Sequence, residues 1–438
     1  MKKNIFVFCL ILGFTILPDI LLKAGDARLR WEMMNQIRRD KFDIILPKVM
    51  RENKIDMWIT MVKEGNVGPL YEDFGRGYVS SIGYYIFTDR GGNRIERAAL
   101  GIDGYLIEKC GAYDIFAPAA DLVKFVKERD PKRIGINTSE KIGAADNLSH
   151  MGYLHLKKTL GNIYSQRLVS AEKLVSDFRS RRVASEIVAF GEAGRISHEI
   201  AERALSNEVI VPGQTRLEDV AWWIMEELKK RGLGSSFDMP SIYITGPDGI
   251  EAVSNERIIQ RGDLIMIDWG VGLMNLYTDM KRTAYVLKPG ETKAPAGIQN
   301  AFDQALEVRK IIRRHIKVGR TAAETLEILN RKVREAGFAI MKTFNKPTGT
   351  PKTEVIIGCH SVGNWGHGIG PSIAWFNPLR LTFTIRPTNI FAIEFFAYTP
   401  ASEWGGKKVR IPLEDDAVVT HNGIEWLYPI NTRILLIR

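Results

Sequence analysis

Between about residue 28 and residue 171, short apolar runs alternate with segments whose apolar residues recur at helical spacing. Apolar residues at i, i+3, i+4 and i+7 are typical of a helix, whereas short runs bounded by turn residues are typical of strands. The pattern predicts helices over 42–53 and 118–129, strands over 56–62, 82–89, 94–100 and 133–137, and a hairpin turn at 91–93. This mixture indicates an α/β domain.

From residue 172 onward the helical segments become longer, and a phrase of the sequence repeats. Residues 185–205 have apolar positions at helical spacing, and Thr215 with Glu218 forms a capping box that opens a helix reaching Lys230. The phrase 211–218 recurs as 317–324, at an offset of 106 residues. Each copy precedes a helix that ends at a glycine. We interpret this as an internal duplication, in which each half has helices followed by a β-hairpin.

Two acidic residues lie within apolar runs that resemble the arms of a hairpin. Asp268 ends the first run, Asp279 begins the second, and 272–275 reads as the turn. A register that faces Val271 with Leu276 places Asp268 opposite Asp279, with Cβ atoms about 4.5–5.5 Å apart. Like charges so close need either a proton or a cation between them. Hard oxygen ligands favour a divalent metal ion.

The second half of the chain repeats this arrangement. A hairpin centred near 404–405 would place Glu394 opposite Glu414, and His367 lies in the glycine-rich phrase Gly366-His-Gly-Ile-Gly370. Each feature alone has an ordinary interpretation, either a solvated pair of acids or a structural histidine. Carboxylates inside apolar strands need partners when they are buried, so the set favours a metal centre.

Composition limits the class of protein without choosing the chemistry. The 438 residues predict two domains, and 45% hydrophobic with 26% charged residues is typical of globular proteins. Three cysteines exclude a disulfide scaffold, and Cys110 and Cys359 are either a pair or two free buried thiols. The net charge is +10, but basic and acidic residues are interspersed, so we predict no nucleic-acid partner.

The N-terminus has the pattern of an export signal. Lys2 and Lys3 precede an uncharged apolar run over 5–17, and small residues follow near 24–27. The run is shorter than the roughly 20 residues of a membrane span. We expect residues 1–27 to be a signal peptide, with an uncleaved anchor as the alternative. The protein would then be periplasmic or secreted and would meet the membrane only through this segment.

The ligand set resembles that of the pita-bread metallopeptidases. Asp268, Asp279, His367, Glu394 and Glu414 match the five metal ligands of that family, and the eleven-residue step between the two aspartates is also similar. The resemblance implies an N-terminal domain over 28–171, like that of the Xaa-Pro aminopeptidase, prolidase and creatinase branch. It also implies a pita-bread catalytic domain over 172–438 with an internal pseudo-two-fold.

The resemblance also implies roles for these residues. They would hold two divalent metal ions, manganese first and cobalt or zinc as alternatives, and Glu394 would act as general base. The implied activity is that of an aminopeptidase or dipeptidase acting on small peptides, including Xaa-Pro bonds. Family members often dimerise, so a homodimer is a further expectation.

The chain departs from the family at two histidines. The family has a second histidine seven residues after the ligand histidine, where this chain has Ala374, and another 17 or 18 residues before the first aspartate, where it has Ile250-Glu251. We hypothesise that His360 replaces one of them as a catalytic residue, and that Arg410 binds a substrate carboxylate. Ordinary interpretations are a structural histidine and a surface ion pair. The departures leave two alternative functions, hydrolysis of another amide or C–N bond and a binding protein without activity.

Overall fold

The computed structural model describes residues 27–344, 347, 350–365 and 368–438. Its first part contains α1 (Ala27–Asp40), α2 (Leu46–Glu52), β1 (Met57–Lys63), α3 (Tyr71–Phe74), β2 (Ile82–Thr88), β3 (Glu96–Leu100), α4 (Tyr105–Glu108), β4 (Ile115–Ala117), α5 (Leu122–Arg129), β5 (Ile134–Ile136), α6 (His150–Ser165) and β6 (Leu168–Ser170). A π-helical segment, Lys41–Ile45, joins α1 to α2. The predicted helices and strands of this region are therefore confirmed within a few residues.

The six strands of this part form one mixed sheet in the order β4-β3-β2-β1-β5-β6. Alternate residues of β1 face two different cores, because successive side chains of a strand point to opposite faces. Trp58 and Val62 pack into one apolar cluster, and Met57 and Ile59 pack into another. The sheet is thus covered on both faces, which explains why β1 is a continuous apolar run.

The second part begins with longer helices. It contains α7 (Glu172–Ser180), α8 (Ala184–Ala204), α9 (Leu217–Lys230), β7 (Ser241–Gly246), β8 (Gly249–Val253), β9 (Leu264–Trp269), β10 (Gly272–Leu273), β11 (Leu276–Tyr277), β12 (Met280–Val286), α10 (Ala296–His315), α11 (Ala322–Glu335), β13 (Ala339–Ile340), β14 (Glu354–Ile357), β15 (Cys359–Ser361), β16 (Ser372–Ile373), α12 (Pro378–Leu381), β17 (Ile390–Ala392), β18 (Phe395–Pro400), β19 (Lys408–Leu413), β20 (Asp416–Thr420), β21 (Gly423–Trp426) and β22 (Leu435–Ile437).

Three larger sheets organise these strands, in the orders β22-β12-β9-β7-β8, β13-β14-β18-β19 and β16-β15-β17-β20-β21. Helices α8 and α9 pack on one apolar cluster and α10 and α11 on another. Strand β9 contributes to both clusters, with Met266 facing one and Ile267 facing the other. Each half therefore supplies a helix pair and a hairpin, as the duplication predicts, and the fold is that of a pita-bread protein with an N-terminal domain.

The N-termini of α9 and α11, from which we inferred the duplication, differ in their capping. In α11 the cap is as predicted, since Glu324 N donates to Thr321 Oγ1 and Thr321 N donates to the Glu324 carboxylate. In α9 the cap is one residue later than predicted, because Arg216 N donates to Asp219. Thr215 instead accepts a hydrogen bond from Val211 N. The repeated phrase marks both helices, although only the second copy uses its threonine as a cap.

Two further observations settle points that the sequence left open. Cys110 and Cys359 are both buried and free, so they do not form a disulfide with each other. Across the described ranges, we find no helix with the length and apolarity that a bilayer span requires. The proposed signal at 1–27 lies almost wholly outside the described residues.

Candidate active site

The first hairpin brings an unexpected residue to the site. Strands β9 and β12 pair so that Asp268 lies opposite Lys281, two positions away from the predicted partner Asp279. The reason is the turn, which has two central residues, Met274 and Asn275, both in the left-handed region with φ of 49° and 61°. Two-residue turns with φ above zero match the twist of paired strands, and this turn sets the register. The expectation that Asp268 faces Asp279 is wrong.

The second hairpin has the predicted register. Strands β18 and β19 pair Phe395 with Leu413, and the next step along the chain brings Glu394 opposite Glu414. Strands β17 and β20 continue the same register, with Ala392 opposite Asp416. The two glutamates lie in the short gap between these ladders. Their backbones therefore leave the regular sheet at the point where their side chains enter the site.

Backbone contacts join the two hairpins into one site. Lys281 N donates to Glu414 O at 3.1 Å, so a backbone hydrogen bond connects the two halves of the duplicated part directly. Asp279 N donates to Asp416 Oδ2 at 3.0 Å, and that same oxygen accepts the Tyr428 hydroxyl at 2.8 Å. Burial and the nearby Asp279 raise the pKa of Asp416 well above its ordinary value. Asp416 and Tyr428 thus position Asp279.

His360 lies among the carboxylates. Its Nε2 is 3.4 Å from Glu414 Oε1, 3.8 Å from Glu394 Oε2 and 3.9 Å from Asp279 Oδ2. It belongs to β15, where it pairs with Ala392 of β17, and its side chain is 8% exposed. The chain therefore brings one histidine and three acids from four separate segments to one point. His367, which the sequence assigned as the ligand histidine, lies outside the described residues.

One divalent metal ion fits the residues around His360. Single ligand atoms of Asp279, His360 and Glu414 lie within 4.8 Å of one another, and all three residues are buried. Ligand atoms about 2.1 Å from one ion are separated by roughly 3–4 Å, which matches the distances above. Glu414 Oε1 is buried and accepts no hydrogen bond from the described residues. A buried carboxylate oxygen that accepts no hydrogen bond can be compensated by a bound cation.

The rest of the predicted ligand set surrounds a lysine. Lys281 Nζ lies 3.1 Å from Asp268 Oδ2, donates to Glu394 Oε1 at 2.8 Å, and also donates to Glu414 Oε2. Burial disfavours the ammonium, but Asp268, Glu394 and Glu414 outweigh it and raise the pKa of Lys281 well above its ordinary value. Burial, against the attraction of Lys281, raises the pKa of Asp268 to about 6. A second metal ion does not fit here unless the ammonium moves.

Sequence reasoning missed Lys281, although a signal for it was present. It stands two residues after Asp279 in a strand whose residues are all buried, and alternation puts both side chains on one face. Lysine is almost never fully buried unless it is paired, so an Asp-x-Lys phrase inside an apolar strand predicts acidic partners.

A separate cleft, whose wall includes none of Asp268, Asp279, His360, Glu394 and Glu414, is linked to the carboxylates through Phe396. It has a volume of about 950 Å³, and its wall includes Phe344, Tyr398 and Arg410. The Arg410 guanidinium lies 4.5 Å from the centroid of the Phe396 ring, and Lys281 Nζ lies 5.9 Å from the same centroid. Phe396 thus connects the cleft to the site.

Two further aromatic residues pack against Phe344, which lines this cleft. The Phe344 ring lies 5.7 Å from the ring of Trp375 and 5.1 Å from that of Phe376. Ile250, which stands where the family has a histidine, also lines the cleft. Ile250 carries no imidazole at this position, and the neighbouring Asp248 and Lys407 of the wall form an ion pair.

Comparisons with known proteins agree with this architecture. The chain is 26% identical over 322 residues to the Xaa-Pro dipeptidase of Pyrococcus furiosus, which covers 72% of this chain and 80% of the relative. In fold it is similar to the X-Pro aminopeptidase of Thermotoga maritima MSB8, with a TM-score of 0.63, 17% identity and coverage of 89% and 99% of the two chains. It is also similar to an Xaa-Pro dipeptidase of Bacillus anthracis, with a TM-score of 0.60, 18% identity and coverage of 93% and 99%.

A family model matches more than half of the chain. The match is to metallopeptidase family M24 and extends over residues 189–421. These residues include every candidate ligand, from Asp268 to Glu414, and both hairpins of the duplicated part. This protein therefore belongs to metallopeptidase family M24.

Proposed function

We propose that the protein is an exported metal-dependent hydrolase that removes residues from the N-termini of small peptides, with Xaa-Pro peptides as the first candidate substrates. The observation that supports it best is the convergence of His360 Nε2 with Asp279, Glu394 and Glu414. Manganese is the first candidate metal, with cobalt or zinc as alternatives, because a carboxylate-rich site favours hard ions. The Xaa-Pro peptidases among its relatives suggest the substrate class.

We assign the ligand histidine to His360. Taking His360 as the ligand also accounts for one of the two missing histidines, because His367 then stands seven residues later, where the family has its second histidine. The family usually has an acid directly after its second histidine, whereas this chain has Gly368 after His367. His360 would thus be a metal ligand, and His367 would contact the substrate.

The side chains around the site would divide the chemistry. A divalent ion, when bound, supplies Lewis-acid activation of the carbonyl and of water. Glu394 is 15% exposed and lies at the edge of the cluster, where it would accept a proton as general base. The Arg410 guanidinium, whose buried Nη1 donates no hydrogen bond to the described residues, would bind a substrate carboxylate. Phe344 and Trp375 would contact apolar side chains of the peptide substrate.

Metal content and turnover test this proposal together. We expect purified protein supplied with Mn²⁺ to retain metal and to cleave a panel of Xaa-Pro and Xaa-Ala peptides. His360→Ala should lose the metal, whereas His367→Ala should keep it and lose kcat. Arg410→Ala should raise KM by roughly 10- to 150-fold and leave metal binding unchanged, since one charged hydrogen bond contributes roughly 1.5–3 kcal/mol.

Other outcomes would select the alternatives. Glu327→Ala is the control, because it removes an exposed carboxylate from α11 away from the site. Bound metal without peptide cleavage would contradict the peptidase proposal and favour hydrolysis of another amide or C–N bond. A protein that retains no metal and cleaves nothing would indicate a binding protein.

Export and dimerisation are separate proposals. Lys2, Lys3 and the apolar run over 5–17 support export, and N-terminal sequencing of protein from the medium or periplasm tests it. A mature chain that begins between residues 25 and 28 is expected, and an intact Met1 would favour the anchor. The resemblance alone supports a homodimer, which sedimentation analysis would detect.

A further inference from the structure

Lys281 is surrounded by the acids that were expected to bind metal. Its ammonium has three N–H donors, and three carboxylates, those of Asp268, Glu394 and Glu414, lie within ion-pair distance of it. The Lys281 side chain is 5% exposed. Donors and acceptors therefore match in number, and the amine faces acids from three separate segments of the chain.

The backbone holds the ammonium in this position. Lys281 lies directly opposite Asp268 in the β9–β12 ladder, and Lys281 N donates to Glu414 O. Strand β12 is buried along its whole length, and the Lys281 side chain is almost fully enclosed. The amine is thus placed by the register of the hairpin and by its contact with the other half of the chain.

We propose that the Lys281 ammonium is a built-in cation that takes one of two cation positions in this site, so that the protein binds one divalent ion fewer than its carboxylates would otherwise hold. This deepens the proposed function and rests on it only for the identity of the remaining ion. That ion would lie at Asp279, His360 and Glu414, on the other side of the Glu414 carboxylate from Lys281.

Charge and distance both support the assignment. Asp268, Asp279, Glu394 and Glu414 carry four negative charges. The ammonium with one divalent ion supplies three positive charges, whereas the ammonium with two would supply five and leave a positive excess in a buried site. A second divalent ion would have to lie about 2.1 Å from oxygens that now contact Nζ, and it would leave a buried ammonium beside a dication. The ammonium also draws three acids together before any metal binds, so the site is assembled in the metal-free protein.

The experiment counts metal ions in two variants of the full chain. Wild-type protein and Lys281→Ala are saturated with Mn²⁺, freed of excess by gel filtration and analysed by mass spectrometry. We expect Lys281→Ala to bind one more ion per chain than the wild type, because the alanine leaves both space and uncompensated acids. We also expect Mn²⁺ to raise the melting temperature of Lys281→Ala more than that of the wild type.

Lys41→Ala is the matched control. Lys41 is another buried lysine, 4% exposed, but its ion pair is with Glu186 and with none of the acids around Lys281. Its removal should leave the number of bound ions unchanged. An equal number of ions in the wild type and in folded Lys281→Ala would overturn the inference.

A measurement on the wild type keeps the inference testable if Lys281→Ala does not fold. Electron paramagnetic resonance distinguishes isolated Mn²⁺ from a spin-coupled pair, and we expect isolated Mn²⁺ only. A coupled pair in the wild type would refute the role of Lys281 while leaving the peptidase proposal intact. Conversely, a wild type without metal, together with a Lys281→Ala variant that gains an ion, would support the inference and refute the metal-dependent function.

Discussion

Side chains that are not candidate ligands determine the position of the acidic residues in the site. Tyr428 is an example, since its hydroxyl donates to Asp416 Oδ2 and accepts from Asp416 N, both at 2.8 Å. The same Asp416 oxygen accepts from Asp279 N. A phenol twelve residues along the chain thereby fixes the backbone of a candidate ligand.

Tyr428→Phe should lower the free energy of unfolding by about 1–3 kcal/mol, because it leaves a buried carboxylate and a buried amide short of a partner. It should also weaken Mn²⁺ binding, since Asp279 loses part of its support. Urea unfolding and a metal titration measure the two effects. Tyr164→Phe is the control, because its hydroxyl reaches Asp130 only at 3.4 Å and lies far from the site. Equal losses in both variants would contradict the role of Tyr428.

At the scale of elements, the two related helices α9 and α11 begin differently. Thr321 caps α11 with its own hydroxyl, whereas Thr215 lies one residue before the cap of α9 and bonds within the preceding loop. The threonine of the repeated phrase therefore has a different structural role in each copy. Neighbouring side chains decide which role is taken, since Asp219 accepts from Arg216 N, whereas the second copy has Thr325 at the position of Asp219.

Thr321→Ala should destabilise the protein by about 1 kcal/mol through loss of the cap of α11. Thr321→Ser should restore most of this loss, because serine keeps the hydroxyl. Chemical denaturation of the three proteins provides the comparison, and Glu327→Ala on the exposed face of the same helix is the control. A serine variant as unstable as the alanine variant would show that the methyl group, and not the cap, carries the effect.

At the scale of the whole molecule, a buried ion pair joins the N-terminal part to the catalytic part. Lys41 Nζ lies 3.2 Å from Glu186 Oε1, and Arg182 Nη1 bonds the same oxygen at 3.0 Å. Burial, assisted by the charge of Arg182 and opposed by Glu186, lowers the pKa of Lys41 to about 8. An unfolded lysine titrates near 10.4, so the folded protein holds this proton less tightly.

Between about pH 8 and pH 10, the unfolded chain therefore binds more protons at Lys41, and this residue stabilises the fold increasingly as pH rises. The free energy of unfolding of the wild type relative to Lys41→Met should increase over that range by on the order of 2 kcal/mol. Urea unfolding at several pH values measures the difference. Lys310→Met, which removes a lysine that is 63% exposed, controls for the loss of a positive charge. A difference that falls with pH would contradict the assignment.

Periodicity and turn residues were sufficient to predict most helices and strands from the sequence. These elements are amphipathic or fully buried, and both properties are visible in the local spacing of apolar residues. The hairpin of residues 82–100, the long helix near 184–204 and the register of Glu394 with Glu414 all follow from such local patterns. The acids of the site were recognisable for a related reason, since a carboxylate inside an apolar strand requires a partner wherever the strand packs.

Tertiary structure alone decided what those partners are. The register of the first hairpin depends on a two-residue turn with Met274 and Asn275 in the left-handed region. Asparagine is common at such positions, but methionine is not. The placement of Lys281 among the acids depends on strands from both halves of the chain. Among the described residues, His360 is brought to the acids because β15 pairs with β17, a contact between segments about thirty residues apart. Spacing along a chain predicts which side chains share a face, whereas long-range packing determines which of them meet.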